Sequence, residues 1–158
     1  MKKAKTPVLD WKRIRLLISL ALDEDIGAGD ATSVSVIPRN LTAEAVLVCK
    51  EDCVCAGLPV AEAVFKAINR NIRFTSKVKE GQHCKKGTVM AVVKGNARSL
   101  LTAERTVLNF FQRLSGVATI SAKFAAAAKG TKTEILDTRK TTPGWRNLEK
   151  YAVAVGGA

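Results

Sequence analysis

The chain is poor in the residues that most often mark a recognisable site. Aromatic residues make up only 5%, and the basic residues are spread along the whole chain. It carries no aromatic platform for stacking bases, no helix-turn-helix and no zinc-finger pattern, so nucleic acid is not the expected partner. There is one histidine, His83, and there are four cysteines, Cys49, Cys53, Cys55 and Cys84. Their C-x3-C-x-C spacing fits no familiar zinc knuckle, and buried, reduced thiols are the expected state. No apolar run reaches the length of a membrane span, so no membrane partner is expected. Acidic residues are also the minority: 14 against 26 Lys and Arg, a formal charge of +12. That imbalance predicts attraction to anions without saying which.

The first residues, a basic stretch before an apolar one, superficially resemble a secretory signal. However, Trp11, Ile14, Leu17, Ile18 and Ala21 fall at helical spacing with Lys12, Arg13 and Arg15 among them. Asp23, Glu24 and Asp25 stand where a small-residue cleavage site would be. The spacing predicts an amphipathic helix capped by Asp10, and a cytoplasmic, reducing location follows as an expectation. A length of 158 residues with 47% hydrophobic content is enough for one ordinary core.

Two kinds of territory follow. Residues 42–50 read as a strand, 54–57 as its continuation after a turn, and a helix opens at Pro59, a tolerated first-turn position. Residues 72–78 and 88–94 read as further strands, with Gly81 and Gly87 as turn residues of an antiparallel meander. Beyond Gly95 the pattern predicts two helices, 98–114 and 117–129, a short strand 134–137 and a helix from about Gly144. Strand, loop and helix is how a parallel α/β layer begins.

Two features of this second territory point to a site. At about 100° per residue, Leu100, Ala103, Val107, Phe111 and Leu114 form one apolar stripe, and Arg98, Thr102, Arg105, Asn109 and Gln112 gather opposite. A solvated surface is the plain reading of that polar face. Its Asn and Thr, weaker helix formers than Lys or Glu, hint instead at a contacted one. The second feature is ILDTRKTTPGW, in which the predicted strand delivers Thr138, Arg139 and Lys140 to its carboxyl end, where α/β folds bind ligands. Arg139 offers a planar fork for a carboxylate or phosphate, Lys140 a mobile point charge and the threonines short-range hydroxyls. An exposed basic loop is the alternative.

The stretches EDIGAGDATS, GNARSLLTAERTVLNFFQRLSGVAT and ILDTRKTTPGWRNLEKYAV occur in this order and together resemble the signature blocks of the quinolinate phosphoribosyltransferase family. The resemblance implies an α/β fold: an N-terminal α/β sandwich domain, here 1–130, then an α/β barrel, of which 131–158 would hold the first strand and helix. It implies phosphoribosyl transfer from phosphoribosyl pyrophosphate to the ring nitrogen of quinolinate with decarboxylation, a step of NAD synthesis assisted by magnesium. A homodimer or higher homo-oligomer is implied, one subunit's N-terminal domain covering its partner's barrel mouth.

Residue by residue, the resemblance implies that Arg139 binds the quinolinate dicarboxylate and that Lys140 belongs to the same anion site, nearer the phosphoribosyl donor. Thr138 would be a hydroxyl donor, and Arg105 would reach across the dimer interface to the neighbour's substrate. Asp30 and Thr32 are expected to hold a turn. Where the family continues from the third block with an arginine, a glycine-rich turn and Asn-His-Arg, this sequence reads Ala154-Val155-Gly156-Gly157-Ala158. It is therefore expected to stop within the barrel, to lack the magnesium ligands and to be inactive by itself. Two other readings are a dimerisation or binding fragment, and a related phosphoribosyltransferase acting on another acid.

Overall fold

The computed structural model describes residues 8–27 and 29–158, with the side chains of Ala31 and Thr32 excepted. The basic stretch 1–7, Ala28 of the first signature block and the expected role of the Thr32 side chain lie outside the described residues. Helix α1 spans Trp11–Ile26 and buries Ile14, Ile18 and Leu22, and the Asp10 carboxylate accepts from the Arg13 amide, as its N-cap position requires. After the short helix α2 (Ala31–Val36) comes β1 (Thr42–Val48), then β2 (Cys53–Val54) and α3 (Leu58–Ile68). Strands β3 (Arg73–Ser76), β4 (His83–Cys84) and β5 (Val89–Asn96) follow, then helix α4 (Ala97–Ala128) and helix α5 (Arg146–Val155).

The strands form two small antiparallel sheets, one of order β1-β5-β3 and one pairing β2 with β4. Neither closes into a barrel. The expected meander is therefore divided: β3 and β5 pair directly, while β4 leaves them to meet β2, so 54–57 does not extend the first strand. Gly81 and Gly87 have φ of 77° and 87°, the left-handed turn conformations expected of them.

Helix α4 is the axis of the molecule. Its 32 residues make a rod of about 48 Å, and α1, α3, α5 and both sheets touch it. Leu100, Ala103, Val107, Phe111 and Leu114 are all buried, as their spacing predicts. The two helices expected from the sequence are one. Ser115 and Gly116 do not break it, because a single glycine costs a helix only about 1 kcal/mol. Ser115 also has an inward role: its hydroxyl donates to the Ala56 carbonyl and accepts from the Ala56 amide, both at 3.2 Å.

Two junctions lock the remaining helices to this rod. The Glu80 carboxylate accepts from the Gly57 and Leu58 amides at the start of α3, at 2.9 and 2.7 Å, and from the Tyr151 hydroxyl of α5 at 2.6 Å. Burial and this carboxylate push the Tyr151 phenol well above its ordinary pKa. Trp145, just before α5, stacks on Phe110 of α4 with ring centroids 4.7 Å apart.

The strand expected at 134–137 does not form. Those residues carry no regular secondary structure and no pairing partner, and Leu136 is 81% exposed. A parallel strand is stable only when neighbours satisfy its backbone and cover both faces, and no described strand lies beside it.

Candidate functional site

The segment between α4 and α5 is tethered at two points. Asp137 forms an ion pair with Lys150 of α5. Further on, the Thr142 amide and hydroxyl donate to the Glu149 carboxylate at 3.3 and 2.9 Å. Arg113 of α4 completes this second anchor, donating from Nη2 to Glu149 Oε1 at 2.6 Å and to Thr142 Oγ1 at 3.1 Å. Burial pushes the Glu149 carboxyl up, but the bonds from Arg113 and Thr142 outweigh it and hold the group below the ordinary glutamate range. It is a charged anchor at neutral pH.

Thr138, Arg139 and Lys140 arch between the anchors. The Thr138 hydroxyl accepts from the Lys140 amide at 3.0 Å, a local turn that sets the pitch of the arch. Arg139 and Lys140 are exposed, and among the described residues no hydrogen bond or ion pair engages either side-chain cation. Two free cations, side by side on a segment held at both ends, can take up an anion without first breaking an internal salt bridge.

Arg105 lies elsewhere on the surface. Its Nη1 donates to Asp25 Oδ1 of α1 at 2.8 Å, with 76% of the side chain exposed. Among the described residues no hydrogen bond or ion pair joins it to Thr138, Arg139 or Lys140. The polar face of α4 is a contacted one along its first half. Arg98 donates to the Ile37 and Val34 carbonyls at 2.7 and 2.9 Å, and Thr102 donates to Asp30 at 3.0 Å. Asp30 also caps α2 by accepting from Ser33, and the bonds from Ser33 and Thr102 hold its carboxyl below the usual aspartate range. Asn109 and Gln112 remain exposed.

The anchors Arg113, Glu149, Asp137 and Lys150 were not singled out in the sequence. One signal was available: Glu149 shares a helical face with Trp145 and Ala152, four residues before and three after it. A carboxylate on an apolar face must find a cation or donors. No group of three or more His, Cys, Asp or Glu gathers so as to hold a metal ion among the described residues. The chemistry below runs only through this chain's own residues. No helix among the described residues is long and apolar enough to cross a membrane.

A mixed α/β frame that holds out a tethered pair of free cations offers an anion a place to dock. The chain belongs to the quinolinate phosphoribosyl transferase family: residues 30–115 match its N-terminal domain and residues 117–158 its C-terminal domain. It is 41% identical over 152 residues to the chloroplastic nicotinate-nucleotide pyrophosphorylase [carboxylating] of Oryza sativa subsp. japonica, covering 96% of this chain and 40% of that protein. With the probable nicotinate-nucleotide pyrophosphorylase [carboxylating] of Bacillus subtilis it shares 40% identity over 145 residues, 92% of this chain and 50% of that one. The solved nicotinate-nucleotide pyrophosphorylase from Francisella tularensis superposes with a TM-score of 0.91 at 35% identity, covering 99% of this chain and 56% of the other. NadC from Streptococcus pyogenes gives 0.91 at 36% identity, covering 97% and 54%. The chain thus spans about half or less of the length of these curated relatives.

Proposed function

We propose that this chain carries part of the substrate site of an enzyme that transfers the phosphoribosyl group of phosphoribosyl pyrophosphate to quinolinate with decarboxylation. The product would be nicotinate mononucleotide. The observation that carries this reading is the pair of unengaged cations, Arg139 and Lys140, on an arch tethered through Asp137 and Thr142. Quinolinate brings two carboxylates and the donor brings a pyrophosphate and a 5-phosphate, so the two substrates repel each other until cations sit between them. Holding both in line lowers the entropic barrier to attack by the ring nitrogen. Fixed positive charge beside the ring stabilises the negative charge that develops as carbon dioxide leaves.

In this reading Arg139 takes the dicarboxylate through its fork, Lys140 serves the donor's phosphates and Thr138 orients by its hydroxyl. Arg105, outward-facing and steadied by Asp25, serves the site of a second copy in a homodimer. In this reading 1–130 is the N-terminal sandwich domain and 131–158 the first part of the barrel, and helix α4 runs unbroken from one matched family segment into the other. Catalysis needs parts of the relatives' length that this chain does not span, so the chain alone is expected to release no pyrophosphate above background.

Calorimetric titration with quinolinate tests the core of the proposal. Arg139→Lys keeps the charge and loses the bidentate fork, which costs about 1–3 kcal/mol, or roughly fivefold to 150-fold in affinity. Unchanged affinity in that variant rejects the assigned role.

A further inference from the structure

The four cysteines take no part in the site above, yet they converge where the two sheets meet. Cys49 follows β1 and is buried; its amide donates to the Thr88 carbonyl and its own carbonyl accepts from the Gly87 amide. Cys53 opens β2 and is held opposite Cys84 of β4. Between them Asp52 accepts from Lys85 Nζ and from the Lys86 amide, at 2.7 and 2.9 Å, which fixes the turn. Both backbones are thus held by partners outside the turn, and the two sulfurs face each other at 3.2 Å.

Access favours Cys53: of the two cavities here, Cys49 borders the larger and Cys84 the smaller, but both residues are buried. Cys53 is half-buried and lines both cavities. One, of about 890 Å³, runs between β1 and α4 past Glu51, Asp52 and Thr119. The other, of about 280 Å³, is bordered by His83, Lys85 and Lys123. Cys84 turns its thiol to the Gln82 carbonyl at 3.5 Å, and Cys55 is fully buried.

We infer that Cys49 and Cys53 are an oxidisable dithiol, a site at which a peroxide closes a disulfide across the turn formed by Lys50, Glu51 and Asp52. Cys53, the more exposed of the two, attacks one peroxide oxygen; the O–O bond breaks, water leaves and a sulfenic acid remains. Cys49 then attacks that sulfur and displaces a second water. Two S–H bonds are lost, one S–S bond forms, and the peroxide is reduced to two waters. The sulfurs need to close by about 1 Å to reach a disulfide bond of about 2.05 Å. Burial and the neighbouring Cys49 push the Cys53 thiol up to about 12, so thiolate is scarce at neutral pH and the reaction is slow. The bond would tie the end of the three-stranded sheet to the two-stranded one, and a thiol reductant would release it.

Treating the folded chain with hydrogen peroxide, alkylating the remaining thiols under denaturing conditions and digesting with trypsin tests the pairing. Cleavage after Lys50 separates Cys49 from Cys53, so the disulfide joins two peptides. The expected result is a fall from four alkylatable thiols to two, in protein that still migrates as a monomer without reductant. The peptide containing Cys49 is then linked, reducibly, to the one containing Cys53 and Cys55, with fragmentation placing the bond on Cys53. Cys53→Ser should abolish the link and Cys55→Ser should leave it. Four thiols still alkylatable, a bond to Cys84 or Cys55, or a link that persists in Cys53→Ser would each overturn the inference; the wild-type fragmentation decides even if a variant does not fold.

Discussion

Replacing Glu149 with glutamine keeps the side chain's size and removes the charge on which one anchor of the arch depends. In the native structure Glu149 is 8% exposed and accepts three bonds: from Arg113 at 2.6 Å, and from the hydroxyl and amide of Thr142 at 2.9 and 3.3 Å. A carboxamide has one accepting oxygen, so its NH2 group must face either the Thr142 amide or the Arg113 guanidinium, donor against donor. Removing one partner of a fully buried pair costs about 3–5 kcal/mol. The Arg113 side chain is 53% exposed, however, and can turn into water. The loss is therefore nearer that of a charge-assisted hydrogen bond, about 1–3 kcal/mol. For a chain of this size about 2 kcal/mol lowers Tm by roughly 4–8 °C.

The pH dependence of that loss has a definite sign. The Glu149 carboxyl lies below its ordinary value in the folded state, so its contribution is present above the unfolded value of 4.5 and is lost as pH falls through the folded one. Urea unfolding followed by circular dichroism at pH 7 and again near pH 3 should show the variant clearly weaker in the first case and the gap narrowed in the second. A variant within about 0.5 kcal/mol of the parent at pH 7, the size of an ordinary surface substitution, refutes the reasoning. So does a gap that widens on acidification.

Other perturbations follow from the same contacts. Gly57→Ala places a Cβ 2.7 Å from Leu114 Cδ1 at a φ of 101°, and should cost about 1–3 kcal/mol in denaturant unfolding through combined strain and overpacking. Gly156→Ala drives a methyl into the Ala118 carbonyl and the Ser121 side chain; it should loosen α5 from α4, seen as faster hydrogen exchange in Arg146–Val155 with α1 unchanged. If Arg105 serves a second copy's site, mixing Arg105→Ala with Arg139→Ala should restore quinolinate sites to about a quarter of the wild-type number after complete subunit exchange, since half the dimers are mixed and each holds one intact site. A mixture that binds no more than either variant places Arg105 in its own subunit or in a structural role.

What the sequence determined by itself was whatever depends on near neighbours along the chain. The Asp10 cap, the buried stripe of α4 and the turns at Gly81 and Gly87 all follow from spacing or from one residue's conformational preference, and all are present. The mixed α/β character and the three ordered signature blocks were legible for the same reason. Tertiary structure alone decided the rest. Ser115-Gly116 reads as a helix break until Ala56 is placed against it. Residues 134–137 have a strand's composition, but a strand's hydrogen bonds belong to its neighbours, and no described strand lies beside them. The carboxylates beneath the polar face of α4 come from residues 25 and 30, more than seventy positions away. The arch is likewise held by Arg113 and Glu149, which lie on different helices. Such pairings join residues far apart in the chain, and the close approach of helices around α4 fixes which of them meet.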